Sequence, residues 1–208
     1  MHRLITVSGP TCSGKQTLIN ATKALQAPFI EPVSYTTREP REGEVDGVHY
    51  HFVTRERFAQ MIQDGEFIEY APVHKNFYGT TREVMLGALE QGDVLYDLDV
   101  NGAMQLKKKL PTQAIFVYAP PDSLEKRIRE RGKDTEEQIQ IRMKTARGEI
   151  AQVQSFDWVI INADHGLETA TTEFNTLVTE LREGGTPNLL RFRNPAVVRG
   201  ILASIKQN

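Results

Sequence analysis

The sequence has little cysteine, no long apolar run and no strong excess of charge. Its single cysteine, Cys12, excludes an internal disulfide and a metal cluster built from several cysteines. No apolar run approaches the roughly 20 residues of a membrane-spanning helix, and residues 4–7 are too few for the core of a signal peptide. With 25 basic and 27 acidic residues, the net charge of −2 argues against a surface that binds nucleic acid or a membrane. We therefore expect a cytoplasmic protein without those two partners.

The 208 residues, 39% hydrophobic and 25% charged, are typical of one globular domain. Short apolar, β-rich runs alternate with charged segments of helical spacing, which predicts an α/β fold with a parallel sheet flanked by helices. The predicted strands are residues 4–8, 94–99, 114–119 and 158–162. The predicted helices are residues 16–25, 55–64, 82–90, 102–109, 123–131, 135–152, 167–182 and 197–206. Their plausible starts include Thr54, Gly102, Asp122 and Asp134.

Three segments depart from this alternation. Residues 31–79, with short strand-like pieces at 48–53 and 66–70, predict an inserted antiparallel subdomain. Residues 125–149 are dense in charge, and composition alone favours a solvated helical hairpin; their arginines are Arg127, Arg129, Arg131, Arg142 and Arg147. The segment after Glu183 has no acidic residue and carries Arg191, Arg193, Arg199 and Lys206. This basic extension either binds a partner or packs on the core, and the sequence leaves both open.

A glycine-rich motif follows the first predicted strand. The pattern G-x-x-x-x-G-K lies between a strand and a helix, where backbone N–H groups and the helix start can surround a phosphate and Lys15 can reach the outer phosphate oxygens. The expected phosphate-binding residues are Gly9, Pro10, Thr11, Cys12, Ser13, Gly14, Lys15, Gln16 and Thr17. Gln16 stands where Ser or Thr usually supplies a hydroxyl to Mg²⁺, so Thr17 becomes the candidate ligand.

Further blocks of sequence resemble one family. They are SYTTREPREGEVDGVHYHFV from Ser34, GEFIEYAPVHKNFYGTTRE from Gly65, VLYDLDVNGA from Val94, RERGKDTEEQIQIRM and FDWVIIN. Together with the phosphate loop, they resemble guanylate kinases over about residues 3–183. The resemblance implies a single domain, 1–208, with a P-loop core (1–33, 81–124 and 150–183), a small antiparallel GMP-binding subdomain (34–80), a helical lid (125–149) and a basic C-terminal extension (184–208).

The resemblance also implies the site that holds the phosphoryl acceptor. The residues matching the positions that hold the phosphate of GMP are Arg38, Arg41, Tyr50 and Tyr78. Arginine suits this role because its planar donors match phosphate oxygens. Glu69 and Ser34 are implied to recognise guanine, since a carboxylate accepts from N1–H and N2–H₂ and a hydroxyl can donate to O6. The remaining residues implied to contact GMP are Gly79, Thr80 and Asp97.

On the donor side the resemblance implies ATP and Mg²⁺. Asp97 and Asp99 stand at i and i+2 at the end of a predicted strand, so we expect one or both to face the phosphates and the metal. Asn162 matches the adenine-side position. The implied catalytic set is Lys15, Arg41, Arg131 and Arg142, of which the last two match the arginines of the family's lid.

The implied function is ATP-dependent phosphorylation of GMP, and of dGMP, to the diphosphate in purine nucleotide metabolism. Two alternatives remain open: a non-catalytic guanylate-kinase-like binding module, and a related kinase with a different phosphorylated acceptor. If the protein is a GMP kinase, its small-molecule partners are ATP and GMP. The sequence is compatible with a monomer or a homodimer.

Overall fold

The computed structural model describes residues 2–26, 28–73, 75–185, 187–188, 192 and 195–205. Within them the chain forms two four-stranded sheets and eight α-helices. In chain order the elements are β1 (Leu4–Ser8), α1 (Lys15–Leu25), β2 (Tyr35–Thr36), β3 (His51–Phe52), α2 (Arg55–Gln63), β4 (Phe67–Val73), β5 (Asn76–Thr81), α3 (Arg82–Gln91), β6 (Val94–Asp97), α4 (Val100–Lys109), β7 (Gln113–Tyr118), α5 (Pro121–Arg131), α6 (Glu136–Ile150), a 3₁₀ turn (Val153–Ser155), β8 (Trp158–Ile161), α7 (Leu167–Arg182) and α8 (Pro195–Ser204).

The central sheet has the strand order β6-β1-β7-β8, and all its pairings are parallel. Ile30 adds an isolated parallel bridge to Val94 at the β6 side. The predicted α/β class is confirmed, as are the four predicted core strands to within two residues at each end. Because parallel strands end at the same edge, the segments after β1, β6 and β8 meet at one edge of the sheet.

Apolar clusters cover both faces of the central sheet. Leu4 and Val94 belong to one cluster, whereas their neighbours Ile5 and Leu95 belong to the other. Alternate residues therefore bury on opposite faces, and β1 is buried along its whole length. This double burial explains why the core strands read as continuous apolar runs in the sequence.

The second sheet has the order β3-β2-β5-β4 and carries the inserted subdomain. Its predicted pieces correspond to β3 and β4, while β2 and β5 were not predicted. The expectation of a wholly antiparallel sheet is wrong, since β2 and β3 pair in parallel. The fourteen residues from 37 to 50 make the crossover that a parallel pair requires. A small core of Phe58, Met61 and Phe67 holds α2 against this sheet.

Side-chain caps decide where several helices begin. The predicted start at Thr54 is confirmed, because its hydroxyl accepts a hydrogen bond from the Arg57 N–H (3.1 Å). The predicted starts Gly102, Asp134 and Asp122 are wrong, and the residues that precede these helices are Asp99, Thr135 and Pro120. The Asp99 carboxylate accepts from the N–H groups of Asn101 (2.8 Å) and Gly102 (3.1 Å), which are free at a helix start.

The described part of the C-terminal extension packs on the core. Ile201, on α8, is buried in one apolar cluster, and Phe192 is buried in the other. Arg199 is exposed, whereas Arg191, Arg193 and Lys206 lie outside the described residues. In the portion of the chain that the structure describes, no helix has both the length and the apolar character needed to span a membrane.

Candidate active site

Residues 9–14 form a loop between β1 and the first turn of α1. Gly9 has a φ of 146°, and a Cβ there would lie 2.3 Å from the Val117 carbonyl oxygen, so no larger residue fits. Gly14 precedes α1 without a capping side chain, and the described first turn of α1 holds no acidic residue. A helix start left open in this way is suited to binding a phosphate.

Lys15 lies over this loop. Its Nζ donates a hydrogen bond to the Gly9 carbonyl oxygen (2.7 Å). Burial raises the pKa of Asp97, and it raises that of Glu149 to about 7, while the Lys15 charge opposes both increases. Lys15 is therefore a charged neighbour of both carboxyl groups. Glu149, on α6, was missed by the sequence analysis, which placed it among the acids of a solvated hairpin.

Asp97 and Asp99 face different parts of the site. The expectation that both residues end one strand is wrong, because β6 ends at Asp97 and Asp99 caps α4. Asp97 ends β6, and the Lys15 charge opposes the rise in its pKa. The charge of Asp99 instead raises the pKa of Glu69 and of Glu149. Asp97 thus ends the strand beside β1, and Asp99 contacts both Ser8, before the loop, and the first turn of α4.

Asn162, which follows β8, hydrogen-bonds to the phosphate loop. Its Nδ2 donates to the Ser13 carbonyl oxygen (2.8 Å), and a Cβ on Gly14 would lie 2.3 Å from the same nitrogen. Asn162 Oδ1 and Ser13 Oγ are buried without a hydrogen-bond partner among the described residues. The adenine-side position of Asn162 stays a prediction, and the contact that the structure shows is with the loop.

Arg127 joins the lid to this loop. Its guanidinium donates to the carbonyl oxygens of Cys12 (3.3 Å) and Asn162 (3.0 Å) and pairs with Asp164 (3.3 Å). Composition had grouped Arg127 with solvated arginines, which is wrong because its side chain is only 24% exposed. The carbonyl groups that hold it come from segments distant in sequence, so no local pattern signals the contact.

The predicted acceptor residues of the subdomain come together around Arg38. Its guanidinium donates to both oxygens of Glu44 (2.9 and 2.8 Å) and to the Tyr78 hydroxyl (3.2 Å). The hydrogen bonds from the Arg38 guanidinium and from the Arg41 N–H hold the pKa of Glu44 down to about 2. The rings of Tyr50 and Tyr78 pack edge to face at 5.8 Å, and the Arg41 N–H donates to Glu44 (2.7 Å) while its side chain is exposed. Glu44, which the sequence analysis missed, orients Arg38.

Glu69 is a buried carboxyl group at the base of this subdomain. It is 2% exposed, and burial raises its pKa to about 7. Thr80, its cross-strand partner at a β-bulge, lowers that pKa by hydrogen bonding, whereas the charge of Asp99 raises it further. A Cβ on Gly102 would lie 2.9 Å from Glu69 Oε2, so the carboxyl group rests against the first turn of α4.

Three hydroxyl groups lie beside Glu69. The Tyr96 hydroxyl is 2.5 Å from Ser34 Oγ and 2.6 Å from Thr80 Oγ1, and the last two are 3.4 Å apart. Burial raises the pKa of Tyr96. The structure thus brings the predicted residues Ser34, Glu69 and Thr80 together, with Gly79 next to them on β5. Tyr96 was missed because a tyrosine in a buried strand is typical of packing.

The segment predicted to form a lid is a hairpin of α5 and α6. Arg142 pairs with Asp134 (3.0 Å), and Arg129 pairs with Glu125 and Glu136. Arg131 is exposed at the end of α5. Among the contacts of the described residues, no hydrogen bond or ion pair joins Arg131 or Arg142 to the phosphate loop. Nor do the described residues contain three His, Cys, Asp or Glu side chains grouped to hold a metal ion.

Comparisons with known proteins agree on one family. The model of the family "Guanylate kinase" matches residues 1–181. The guanylate kinase of Carboxydothermus hydrogenoformans is 42% identical over 86% of this chain and 89% of its own length. That of Shewanella violacea is 40% identical over 96% of this chain and 97% of its own length. The crystal structure of guanylate kinase from Anaplasma phagocytophilum is 26% identical, with a TM-score of 0.63 over 98% of this chain and 94% of that chain.

Proposed function

The chain belongs to the guanylate kinase family, and we propose which of its residues perform that family's reaction, the transfer of a phosphoryl group from ATP to GMP. One observation carries the proposal. Ser8 Oγ, at the end of the strand that leads into the phosphate loop, donates to the Asp99 carbonyl oxygen (3.5 Å). The Asp99 carboxylate accepts from the Gly102 N–H (3.1 Å), and a Cβ on Gly102 would lie 2.9 Å from Glu69 Oε2, so Asp99 links the start of the phosphate loop to the Glu69 pocket.

On the donor side, we propose that residues 9–17 hold the phosphates of ATP and that Asn162 lies near the adenine. The open start of α1 and the loop N–H groups favour a phosphate there, and Lys15 is close enough to contact its outer oxygens. Arg127 acts indirectly, since it holds the Cys12 and Asn162 carbonyl groups in place.

On the acceptor side, we propose that four side chains bind the phosphate of GMP: Arg38, Arg41, Tyr50 and Tyr78. The side chains of Arg38, Tyr50 and Tyr78 converge, which supports this role, and the Arg41 N–H donates to the same Glu44 that holds Arg38. Glu69 accepts from guanine N1–H and N2–H₂, and Ser34 donates to O6, with Gly79, Thr80 and Asp97 alongside. None of these contacts uses the ribose 2′-hydroxyl, so dGMP is also proposed as a substrate.

The residues around Lys15 fit a magnesium ion that accompanies ATP. Mg²⁺ is commonly held by one or two protein oxygens together with substrate phosphates rather than by a full protein cage. Asp97 ends the strand next to β1, and Thr17 lies in the first turn of α1, so both are near the loop and supply such oxygens. We assign the metal side to these two residues rather than to Asp99, whose carboxylate caps α4. The ion would neutralise phosphate charge.

Catalysis then consists of positioning and charge neutralisation. The γ-phosphoryl group passes in line to an oxygen of the GMP phosphate, and its P–O bond to ADP breaks. Lys15 and Arg41 offset the negative charge, joined by Arg131 and Arg142 when the lid closes and excludes water. The acceptor phosphate is already anionic at neutral pH, so the transfer needs no general base.

A panel of acceptors tests the function. A coupled assay of ADP release over GMP, dGMP, AMP, CMP, UMP and IMP should give turnover with GMP and dGMP far above that with AMP and the pyrimidine nucleotides. A protein that binds GMP without releasing ADP would instead be a binding module, and a preference for another acceptor would make it a different kinase. A cytoplasmic location and a monomeric or homodimeric state stay predictions.

Replacing Gln16 by serine tests the unusual residue of the loop. Gln16 Nε2 donates to Asn20 Oδ1 (2.8 Å) on the exposed side of α1, so its side chain lies away from the phosphates. We expect Gln16→Ser to change kcat by less than about tenfold, or roughly 1.4 kcal/mol in the barrier. Asn20→Ser is the control, since it removes the same hydrogen bond outside the loop. A much larger gain in the Gln16 variant would contradict the assignment of Thr17.

The activity should depend on the ionisation of Glu69. Its pKa of about 7 reflects burial and Asp99, opposed by Thr80 and Lys109. Below that pH the protonated carboxyl group would direct a hydrogen at guanine N1–H, so kcat/KM for GMP should rise with pH through about 7 and then level off. We expect about a tenfold fall between pH ~8 and pH ~6.

The phosphate of GMP also gains a proton near pH ~6. Glu69→Gln separates the two effects, because it should lose the step near pH ~7 and keep the one near pH ~6. A variant whose pH profile matches that of the parent protein would show that Glu69 does not cause the upper step.

A further inference from the structure

Tyr96 lies at the centre of the hydroxyl chain, by which we mean Ser34, Tyr96 and Thr80. Its hydroxyl is within hydrogen-bond distance of both neighbours, at 2.5 and 2.6 Å. The Ser34 carbonyl is held by the His51 N–H (2.8 Å), and Thr80 is fully buried and hydrogen-bonds Glu69. The hydroxyl chain thus joins three different parts of the fold, and Thr80 connects it to the Glu69 carboxyl group.

The hydroxyl chain has three protons and two ways to share them. A phenol with its ordinary pKa near ~10 keeps its proton at neutral pH and can donate it to one neighbour at a time. If Tyr96 donates to Ser34, Thr80 donates to Tyr96, and the Ser34 proton is free to point at a ligand. If Tyr96 donates to Thr80, Thr80 donates to Glu69, and Ser34 donates to Tyr96 and presents only lone pairs.

The two arrangements suit different purines. Guanine supplies two N–H donors to Glu69, which removes the demand for the Thr80 proton, and its O6 needs a donor. It therefore favours the arrangement in which Ser34 donates. A base with an amino group at position 6 and no proton at N1 favours the opposite arrangement, in which Thr80 serves Glu69 and Ser34 accepts.

We propose that Tyr96 is a positioning residue that selects a 6-oxo purine, because its hydroxyl determines whether Ser34 presents a hydrogen or a lone pair to position 6 of the base. The proposal rests on the GMP kinase function proposed above. Through the hydroxyl chain, recognition at position 6 is coupled to recognition by Glu69 at positions 1 and 2.

The test compares nucleotides that differ at a single position of the base. GMP and 6-thioguanosine monophosphate differ only in the acceptor at position 6, and GMP and IMP differ only in the 2-amino group. In Tyr96→Phe the Ser34 hydroxyl is free to rotate. We expect the GMP to 6-thio-GMP ratio of kcat/KM to fall by about threefold to tenfold, the loss of one neutral hydrogen bond. The GMP to IMP ratio should stay within about twofold.

Two further variants sharpen the result. Thr80→Val leaves Tyr96 only Ser34 as acceptor, so the GMP to 6-thio-GMP ratio should be kept or should rise, opposite to Tyr96→Phe. Ser34→Ala should lower the same ratio, and adding Tyr96→Phe to it should lower the ratio no further. Tyr118→Phe is the matched control, because it removes a phenol that bonds Ser204 (3.1 Å) away from the cleft, and should alter no ratio.

A structural role for Tyr96 would lower the efficiency for all three nucleotides alike, and that outcome would overturn the proposal. So would additive effects of Ser34→Ala and Tyr96→Phe. Thr80→Val provides the comparison if Tyr96→Phe does not fold, since a fall of the 6-position ratio in that variant contradicts the proposal by itself. If the parent protein does not phosphorylate GMP, the proposed function fails; if it does and the ratios stay unchanged in the variants, only the role of Tyr96 fails.

Discussion

Replacing Lys15 by methionine is expected to lower kcat on the order of 10³-fold while the fold and GMP binding persist. Lys15 Nζ contacts the Gly9 carbonyl oxygen and belongs to the donor side of the cleft. A charged group aimed at phosphate oxygens in a site that excludes water stabilises the transition state by several kcal/mol, and methionine removes that charge while keeping most of the length. The assay is ADP release at saturating ATP and GMP, together with a melting curve and a GMP titration.

Lys108→Met is the matched control for this substitution. Lys108 lies exposed in the last turn of α4, so the same exchange there removes a charge without touching the loop. It should retain full activity. If Lys15→Met kept more than a tenth of the parent activity, the phosphate-loop assignment would be wrong.

Replacing Glu69 by glutamine is expected to change which base the protein accepts. The carboxyl group is 2% exposed, so the guanine donors that it binds have little access to water as an alternative partner. Glutamine keeps the shape but weakens the charge-assisted hydrogen bonds by roughly 1.5 to 3 kcal/mol, so kcat/KM for GMP should fall by about 10-fold to 150-fold. Its amide can donate to adenine N1, and kcat/KM for AMP should hold or rise.

The measurement is kcat/KM for GMP and for AMP in the parent and in the variant. Glu66→Gln serves as the control, because Glu66 is three residues away and pairs with Arg57 at the surface (3.0 Å). A GMP to AMP ratio that does not change in Glu69→Gln would exclude Glu69 as the residue that recognises the base.

The sequence predicts those parts of the molecule that depend on local pattern. The core strands are recognisable because both faces are buried, and the phosphate loop because its glycines are required by close backbone contacts, as the 2.3 Å approach at Gly9 shows. Strand β5 was not predicted because it combines a glycine, an asparagine and two threonines in six residues, a composition that also occurs in turns.

What the sequence does not predict depends on contacts between distant segments. Tyr96 resembles a packing residue until Ser34 and Thr80 are brought to its hydroxyl from 62 and 16 residues away. Arg127 is one of several arginines in a charged helix, and only the approach of the Cys12 carbonyl, 115 residues away, distinguishes it from its neighbours. The local sequence pattern predicts whether a segment is a helix or a strand. The contacts of Tyr96 and Arg127 exist only because the tertiary fold brings distant segments together.

The contacts of Arg127 limit how much of the α5–α6 hairpin, the proposed lid, is able to move. The apolar cluster that includes Leu4 and Val94 also contains residues of both helices of the hairpin. They are Leu124 and Ile128 on α5 and Met143 and Ala146 on α6, so both helices pack on the core near Arg127. We therefore expect a movement of the proposed lid to bend the hairpin between Ile128 and Ile139, a largely exposed segment that contains Arg131 and ends three residues before Arg142. A rotation of the whole hairpin would break the hydrogen bond from Arg127 to the Cys12 carbonyl oxygen. Opening the proposed lid that far would therefore also disturb the phosphate loop, and the two changes would occur together.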